Sequence, residues 1–329
     1  MKKNIAIVWG GYSSEKEVSE RSADGIYSFI DKEKYRVYKV KIDHYSWEVE
    51  CKGETYPIDK NDFSFMSDGW STKFDFAYVT IHGTPGEDGK LQGYFDMLGI
   101  PYSNSGVLAS ALTCSKYTCN RYLSGFGVKV ADAVVLRRNT HYDSGEIARK
   151  LSLPVFVKPN VGGSSFATTK VKDASQIQPA INTAFGEAPE VIVESFISGV
   201  EVTCGCFKTA KGICVLPLTE VVTKNEFFDY DAKYKGEVDE ITPARISDEL
   251  TREIQDLTIK IYDWVGAKGI IRADFIISDE KPVLLEVNTT PGMTVTSFIP
   301  QQVKAAGLSM RDVLSDIIEY ESSPKNVDI

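Results

Sequence analysis

Apolar positions in this chain fall in short continuous runs bounded by glycine, proline or charged residues. The runs alternate with stretches where apolar residues recur at helical spacing. Asn4–Trp9 reads as a buried strand turned by Gly10 and Gly11. A helix follows at about Glu15–Ile30, where Ser14 and Glu17 have capping-box spacing. That spacing occupies Glu17 and leaves Glu15, at the helix start, without a capping task. Tyr35–Ile42 and Phe74–Ile81 are further strands, the second closed by His82 and Gly83. Asp88–Leu98 is a short helix stopped by Gly99 and Pro101. A new helix begins near Thr113 or Ser115, and Val155–Lys158 is a strand leading into the loop PNVGGSSFATTKV. The segment VIVESFISGVEVTCGCF puts Glu194 at the end of one strand and Glu201 at the start of the next. Val221–Glu240 is irregular, and its length suggests a lid. Ser247–Gly266 is amphipathic, with Leu250, Ile254, Leu257, Ile261 and Val265 on one face. A last helix spans about Met310–Tyr320, capped by Ser309 with Asp312.

The most informative stretch is IRADFIISDEKPVLLEVNTTPGMT. Two apolar strands, Ile270–Ile277 and Pro282–Val287, flank the turn SDEK and read as a hairpin. Side chains two apart share a face, so Arg272 goes with Asp274 and Glu286 with Asn288. If the faces coincide, three hard oxygen ligands meet one guanidinium. Such oxygens suit magnesium, which completes its shell with water and phosphate oxygens. The arginine suits a phosphate beside it. The alternative is a hairpin whose charges face solvent, but Glu286 stands in the run Val283–Val287, and buried carboxylates need partners.

Composition narrows the classes. The chain has 329 residues, 43% hydrophobic and 25% charged, an ordinary globular balance. A net charge of −9 argues against nucleic acid or an anionic membrane surface as partner. No apolar run approaches membrane-spanning length and the N-terminus lacks a signal-peptide core, so the cytoplasm is the expected location. Six cysteines and three histidines, without zinc-type spacing, read as reduced thiols.

Other candidates are weaker one by one. Lys116 sits in a helix first turn, where the macrodipole disfavours a cation. It is either a solvated lysine or one recruited to an anion. Gly162-Gly163-Ser164-Ser165 is longer and more polar than a hairpin turn requires and could cradle phosphate through its N–H groups and hydroxyls, with Lys158 just before it. Glu15 and His82 both sit at carboxyl ends of strands, where open α/β sheets bind ligands. The strand–Gly-Gly–helix opening is Rossmann-like but lacks the dinucleotide fingerprint.

Five segments in this order, GGYSSEKEVS, HGTPGEDG, VFVKP with its GGSS loop, FFDYDAKY and LLEVNTTPGMT, resemble the D-alanine–D-alanine ligases of the ATP-grasp superfamily over essentially the whole chain. The resemblance implies an α/β and α+β protein with a three-lobed ATP-grasp fold and a Rossmann-like N-terminal domain. The expected lobes are an N-terminal domain over residues 1–112, a central lobe over 113–195 and a C-terminal lobe over 196–329.

The resemblance also implies roles. Asp274, Glu286 and Asn288 match ligands of two Mg2+ (or Mn2+) ions. Lys116 and Lys158 match lysines on the ATP phosphates, with Ser164 and Ser165 in the phosphate loop. Glu194, Glu201 and the Ile197 backbone match groups around adenine and ribose. Relatives often carry lysine where Ser195 stands, which weakens the adenine assignment. Glu15, with His82 nearby, resembles the group holding the first D-alanine ammonium, in a triad with Ser164 and Tyr234. Lys233 closes over phosphate, Arg272 and the Gly292 N–H stabilise an oxyanion, and Ser297 and Phe298 receive the second carboxylate. The implied activity joins two D-alanines through an acyl phosphate for peptidoglycan precursor synthesis. The expected partners are D-alanine and ATP, and the expected assembly is a homodimer. The alternatives are a D-alanine–D-serine or D-alanine–D-lactate ligase, and a nucleotide-binding module without catalysis. Intact Arg272, Asp274, Glu286 and Asn288 count against the last.

Overall fold

A computed structural model describes residues 2–163, 166–223 and 238–323. Its strands form three sheets. In the first, β1 (Lys3–Gly10) lies between β2 (Tyr35–Ile42) and β7 (Phe76–Val79), parallel to both. Ile5–Val8 are fully buried, as a continuous apolar run between two covered faces must be. Helix α1 (Lys16–Phe29) packs on one face. The sheet continues from β2 through an antiparallel meander: β3 (Trp47–Cys51), β4 (Glu54–Asp59), β5 (Ser64–Ser67) and β6 (Trp70–Lys73). These four strands escape sequence reading because they are short and their apolar residues are scattered among turn residues.

Three local expectations change. Ser14 is not the cap of α1: the helix has Glu15 at the N-cap position and no side-chain cap bond. Instead Ser13 Oγ donates to the His82 carbonyl at 2.8 Å, which ties this turn to the neighbouring strand end. Ser309 likewise makes no side-chain cap bond to the last helix. A short helix, α3 (Val107–Cys114), also follows α2 (Lys90–Leu98) and precedes α4 (Lys116–Ser124). Ser115 caps α4, accepting from the Thr118 N–H. Gly10 and Gly11 turn the chain at φ 107° and 94°. A Cβ at Gly10 would stand 2.4 Å from the Ile42 carbonyl oxygen.

The second sheet is antiparallel, in the order β10-β9-β11-β8, from β8 (Ala133–Arg137), β9 (Val155–Pro159), β10 (Thr169–Val171) and β11 (Glu190–Ser195). Helices α5 (Ser144–Leu151) and α6 (Ile177–Glu187) close its core around Val155, Val157, Ile181 and Val193.

The third sheet contains β12 (Val200–Thr209), β13 (Gly212–Val215), β14 (Thr219–Thr223), β15 (Val238–Ile241), β16 (Ile270–Ser278) and β17 (Lys281–Asn288). Its order is β15-β14-β12-β16-β17, with β13 on β12. The segment expected to be irregular over Val221–Glu240 therefore begins and ends in a paired ribbon, Val221 opposite Glu240 and Val222 opposite Asp239. Residues 224–237, with the lid reading, lie outside the described residues. Helices α7 (Asp248–Trp264), α8 (Phe298–Ala305) and α9 (Met310–Glu321) follow. Ser247 caps α7, accepting from the Leu250 N–H.

The first and third sheets share one core. Ile5, Ile7, Ile26 and Phe76 pack in the same cluster as Phe207, Ile270, Met293, Ile299 and Ile317. Each such side chain contributes about 1.5–3 kcal/mol when fully buried. The seam between these lobes is therefore held apolar and close-packed, which places the ends of β1 and β7 against the turn after β17. Among the described residues, no helix is long and apolar enough to cross a membrane.

Candidate active site

The hairpin behaves as its alternation suggests. Arg272 pairs opposite Asn288, and Asp274 opposite Glu286, so all four side chains share a face. A register shift between Asp274 and Phe275 skips Leu285. Leu284 therefore sits opposite buried Phe275 while Glu286 still faces Asp274.

On that face the charges are matched. Arg272 grips Asp274 through Nε (2.8 Å) and Nη2 (2.7 Å), and Thr203 Oγ1 from β12 donates to the same carboxylate at 2.6 Å. Lys116 forms a short ion pair with Glu286 and donates to the Gly162 carbonyl at 2.9 Å. Burial works against the Lys116 charge, but the Glu286 carboxylate outweighs it and raises the lysine's pKa. Burial likewise opposes the Arg272 charge, and Asp274, Glu286 and Glu201 more than offset it. The sequence left two readings of Lys116 open; in the structure the side chain is largely buried and pairs with the Glu286 carboxylate. Asn160 prepares that position. Its carbonyl accepts the Lys116 N–H at 3.0 Å and its Oδ1 accepts the Tyr117 N–H at 2.9 Å, satisfying the first turn of α4.

Asn288 Nδ2 donates to Asp274 (3.1 Å) and to Glu286 (3.4 Å). Turning its amide over would present Oδ1 to the same point, because the two orientations differ only in hydrogen bonding. Among the described residues no group of three His, Cys, Asp or Glu side chains could hold a metal ion. What this face offers is two carboxylates and one amide, a hard-oxygen set that fits magnesium or manganese only with further oxygens from water or phosphate.

The turns of the first sheet close over this face. Glu15 is buried, and its Oε1 would stand 2.8 Å from a Cβ at Gly163, so the carboxylate rests against the glycine loop. Ser22 Oγ lies 3.3 Å from His82 Nε2 and accepts the Met293 N–H at 3.3 Å, joining α1, the β7 end and the turn after β17. Burial lowers the His82 pKa, against the pull of Glu15 and with help from Arg272. Glu87 is pushed up to about 8, by burial first and then by Glu15. Its Oε2 accepts the Gly83 N–H at 2.7 Å. Glu87 was not singled out from the sequence, although it stands inside HGTPGEDG; only the fold brings it near Glu15, Lys116 and Glu286.

Beyond the hairpin turn, Gly292 and Ser297 are adjacent: a Cβ at Gly292 would stand 3.1 Å from Ser297 Oγ. Ser297 Oγ accepts the Thr294 N–H at 3.0 Å. The Arg272 guanidinium lies over the Phe298 ring, 5.3 Å from its centroid.

The second sheet supplies the remaining candidates. Lys158 on β9 pairs with Glu194 on β11 at 2.6 Å, both largely buried. Ile197 follows in the connection to β12, half-buried. Ser195 Oγ donates to the Leu151 carbonyl at 2.9 Å, so this position is engaged away from the strand. Glu201 on β12 stands two residues before Thr203 and opposite Ile276. Ser164, Ser165, Lys233 and Tyr234 lie outside the described residues. All six cysteines are free, and burial raises the thiol pKa of Cys119, Cys204 and Cys206.

Comparison with known proteins gives two matches to family models: residues 4–105 to "D-ala D-ala ligase N-terminus" and residues 122–319 to "D-ala D-ala ligase C-terminus". The D-alanine–D-alanine ligase of Parabacteroides distasonis is 64% identical over 323 residues, 98% of each chain. Among solved structures, the VanG D-Ala:D-Ser ligase of Enterococcus faecalis aligns with TM-score 0.85 at 32% identity, covering 98% of this chain and 100% of that one. The D-alanine–D-alanine ligase of Bacillus anthracis complexed with ATP aligns with TM-score 0.78 at 29% identity, covering 97% of both.

Proposed function

This chain belongs to the D-alanine–D-alanine ligase family, and from that premise we propose that it joins two D-alanines to D-alanyl-D-alanine, with conversion of ATP to ADP and phosphate. The product serves peptidoglycan precursor synthesis. The observation that carries the reading is the convergence of Arg272, Asp274, Glu286, Asn288 and Lys116 on one face, with Glu15 closing over it.

The chemistry follows from the groups present. A carboxylate is a poor electrophile. In the first step an oxygen of the first D-alanine carboxylate attacks the γ-phosphorus of ATP, the bond to the bridging oxygen breaks, and ADP leaves. D-Alanyl phosphate remains. Glu15 holds the ammonium of that D-alanine beside His82. Lys116 and Lys158 supply donors to phosphate oxygens, and each is prepositioned by a carboxylate, Glu286 and Glu194 respectively. Glu194, Glu201 and the Ile197 backbone hold the nucleoside. Asp274, Glu286 and Asn288 would hold two Mg2+ or Mn2+ ions, which when bound neutralise charge on the transferring phosphoryl group.

In the second step the amine of the other D-alanine, having lost one ammonium proton, attacks the acyl carbon. Negative charge develops on the former carbonyl oxygen, the nitrogen sheds its second proton, and phosphate leaves with that proton as the carbonyl re-forms. Arg272 and the Gly292 N–H are the donors for that oxygen. Asp274 fixes the Arg272 plane through two hydrogen bonds, so the guanidinium needs no reorganisation during the step. Ser297 and Phe298 receive the second carboxylate. Ser164, Ser165, Lys233 and Tyr234 enter this reading through the resemblance of their segments alone. A cytoplasmic homodimer acting on small molecules is the proposed setting, and light scattering tests the assembly.

The functional test incubates the protein with ATP, Mg2+ and D-alanine, with D-serine or D-lactate as competitors. Equal amounts of ADP, phosphate and D-alanyl-D-alanine are expected. No D-alanine-dependent ADP would leave a nucleotide-binding module; D-alanyl-D-serine or ester as main product would move the chain to the other ligase classes.

A further inference from the structure

At the seam between the first and third sheets, one buried amide joins two loops of the site. Asn104 and Thr290 are 3% and 5% exposed and 186 residues apart. Asn104 Nδ2 donates to the Gly86 carbonyl at 3.0 Å and to Thr290 Oγ1 at 3.2 Å. Gly86 belongs to the turn that carries His82 and Glu87, and its carbonyl also accepts from Gln92 Nε2 at 2.6 Å. The amide orientation is fixed, because Gly86 O only accepts. Asn104 Oδ1 is buried and has no hydrogen-bond partner among the described residues. The residue also lines a cavity of about 20 Å³ with Thr80, Ser103, Thr289 and Thr290. That volume holds one water molecule, and the lining carries the hydroxyls a water needs.

We propose that Asn104 is a positioning residue for the ligation step, and that one buried water completes its hydrogen bonding. Nδ2 ties Thr290 to Gly86. Pro291 follows with its φ held by the ring, and Gly292 comes next, so a shift of Thr290 passes directly to the Gly292 N–H. Two further buried contacts hold the turn, both longer: Thr289 Oγ1 lies 3.5 Å from Thr113 Oγ1, and Ser22 Oγ accepts the Met293 N–H at 3.3 Å. A donor aimed at a developing oxyanion is sensitive to such shifts, about 100-fold in rate for about 1 Å. Formation of the acyl phosphate depends instead on the lysines and the hairpin carboxylates, which do not rest on this strut. The inference therefore assumes the ligase reading and separates its two steps.

The experiment uses Thr290→Val, which keeps shape and removes the hydroxyl, Thr290→Ser, which restores it, and Asn104→Ala. Dipeptide formation is measured beside positional isotope exchange in ATP with D-alanine, which reports the first step alone. For Thr290→Val and Asn104→Ala, kcat for dipeptide is expected to fall about 10- to 100-fold, with KM for D-alanine and the exchange rate within about threefold. Thr290→Ser is expected to recover most of the loss. If Asn104→Ala does not fold, Thr290→Val decides. A folded Thr290→Val protein with kcat within twofold of the parent overturns the proposal, as does a parallel fall in exchange, which marks a merely structural role. A high-resolution crystal structure with the cavity dry overturns the water. Failure of the unmodified protein to make dipeptide refutes the ligase reading itself, whatever the variants do.

Discussion

Replacing Glu286 by Gln isolates the charge on the hairpin face. The substitution keeps the side chain's length and one carbonyl oxygen. On this face Arg272 pairs with Asp274 and Lys116 with Glu286, so Gln removes the carboxylate that Lys116 pairs with. Removing one partner of a fully buried pair costs about 3–5 kcal/mol. Here the Lys116 and Glu286 side chains are 13% and 23% exposed, and Lys116 keeps the Gly162 carbonyl at 2.9 Å. The stability loss expected is therefore about 1.5–3 kcal/mol, the size of one charged hydrogen bond. The effect on turnover is larger. A neutral amide is a weak ligand for a hard cation, and losing about 4 kcal/mol of charge stabilisation in the transition state lowers kcat about 1,000-fold. Phosphate release with ATP, Mg2+ and D-alanine measures the second quantity, and urea unfolding followed by circular dichroism the first. A folded Glu286→Gln protein with kcat within tenfold of the parent refutes the placement of the metal and phosphate chemistry on this face.

Three further outcomes are expected. Gly163→Ala puts a Cβ 2.8 Å from Glu15 Oε1, so the carboxylate must turn aside; KM for the first D-alanine should rise about tenfold for a stability change within about 1 kcal/mol, read from steady-state kinetics and thermal unfolding. Glu87 binds a proton in the folded state up to about pH 8 that the unfolded chain releases near 4.5, so this group's stabilisation is full below 4.5 and is lost as pH rises towards 8. Glu87→Gln, neutral throughout, should gain on the parent by about 0.7 kcal/mol per pH unit over that window, half the single-proton slope because the side chain is partly exposed; parallel pH–stability curves would contradict the shift. Tyr234→Phe should raise the yield of D-alanyl-D-lactate relative to dipeptide at neutral pH, because a site organised around an amine rejects a hydroxy acid through polar groups left unpaired; an unchanged product ratio in a D-alanine and D-lactate competition counts against Tyr234 as the discriminator.

Local patterns in the sequence were enough for the parts of this protein whose physics is local. Alternation with period two put Arg272 with Asp274 and Glu286 with Asn288, and pairing of the two strands did the rest. Ser115 was readable as one of two candidate caps, with Thr113, because capping involves residues three apart. Where a local rule failed, a distant partner had displaced it. The capping box at Ser14 lost to a turn held by the His82 carbonyl, 69 residues on from Ser13. Pro282–Val287 read as one apolar strand, and only pairing with β16 revealed the bulge that sets Leu284 opposite Phe275 while Glu286 faces Asp274.

The convergence itself belonged to the tertiary structure. Lys116 meets Glu286 across 170 residues, Glu15 rests on Gly163, and Asn104 holds Thr290 across 186. None of these distances follows from spacing along the chain, because each depends on how three sheets pack. The raised pKa of Glu87 has the same origin: the residue type is plain in HGTPGEDG, but its proton is retained because the fold buries it beside Glu15. Sequence alone determined which side chains of each element could share a face. Burial and charge, which are properties of the assembled core, decided which faces would meet.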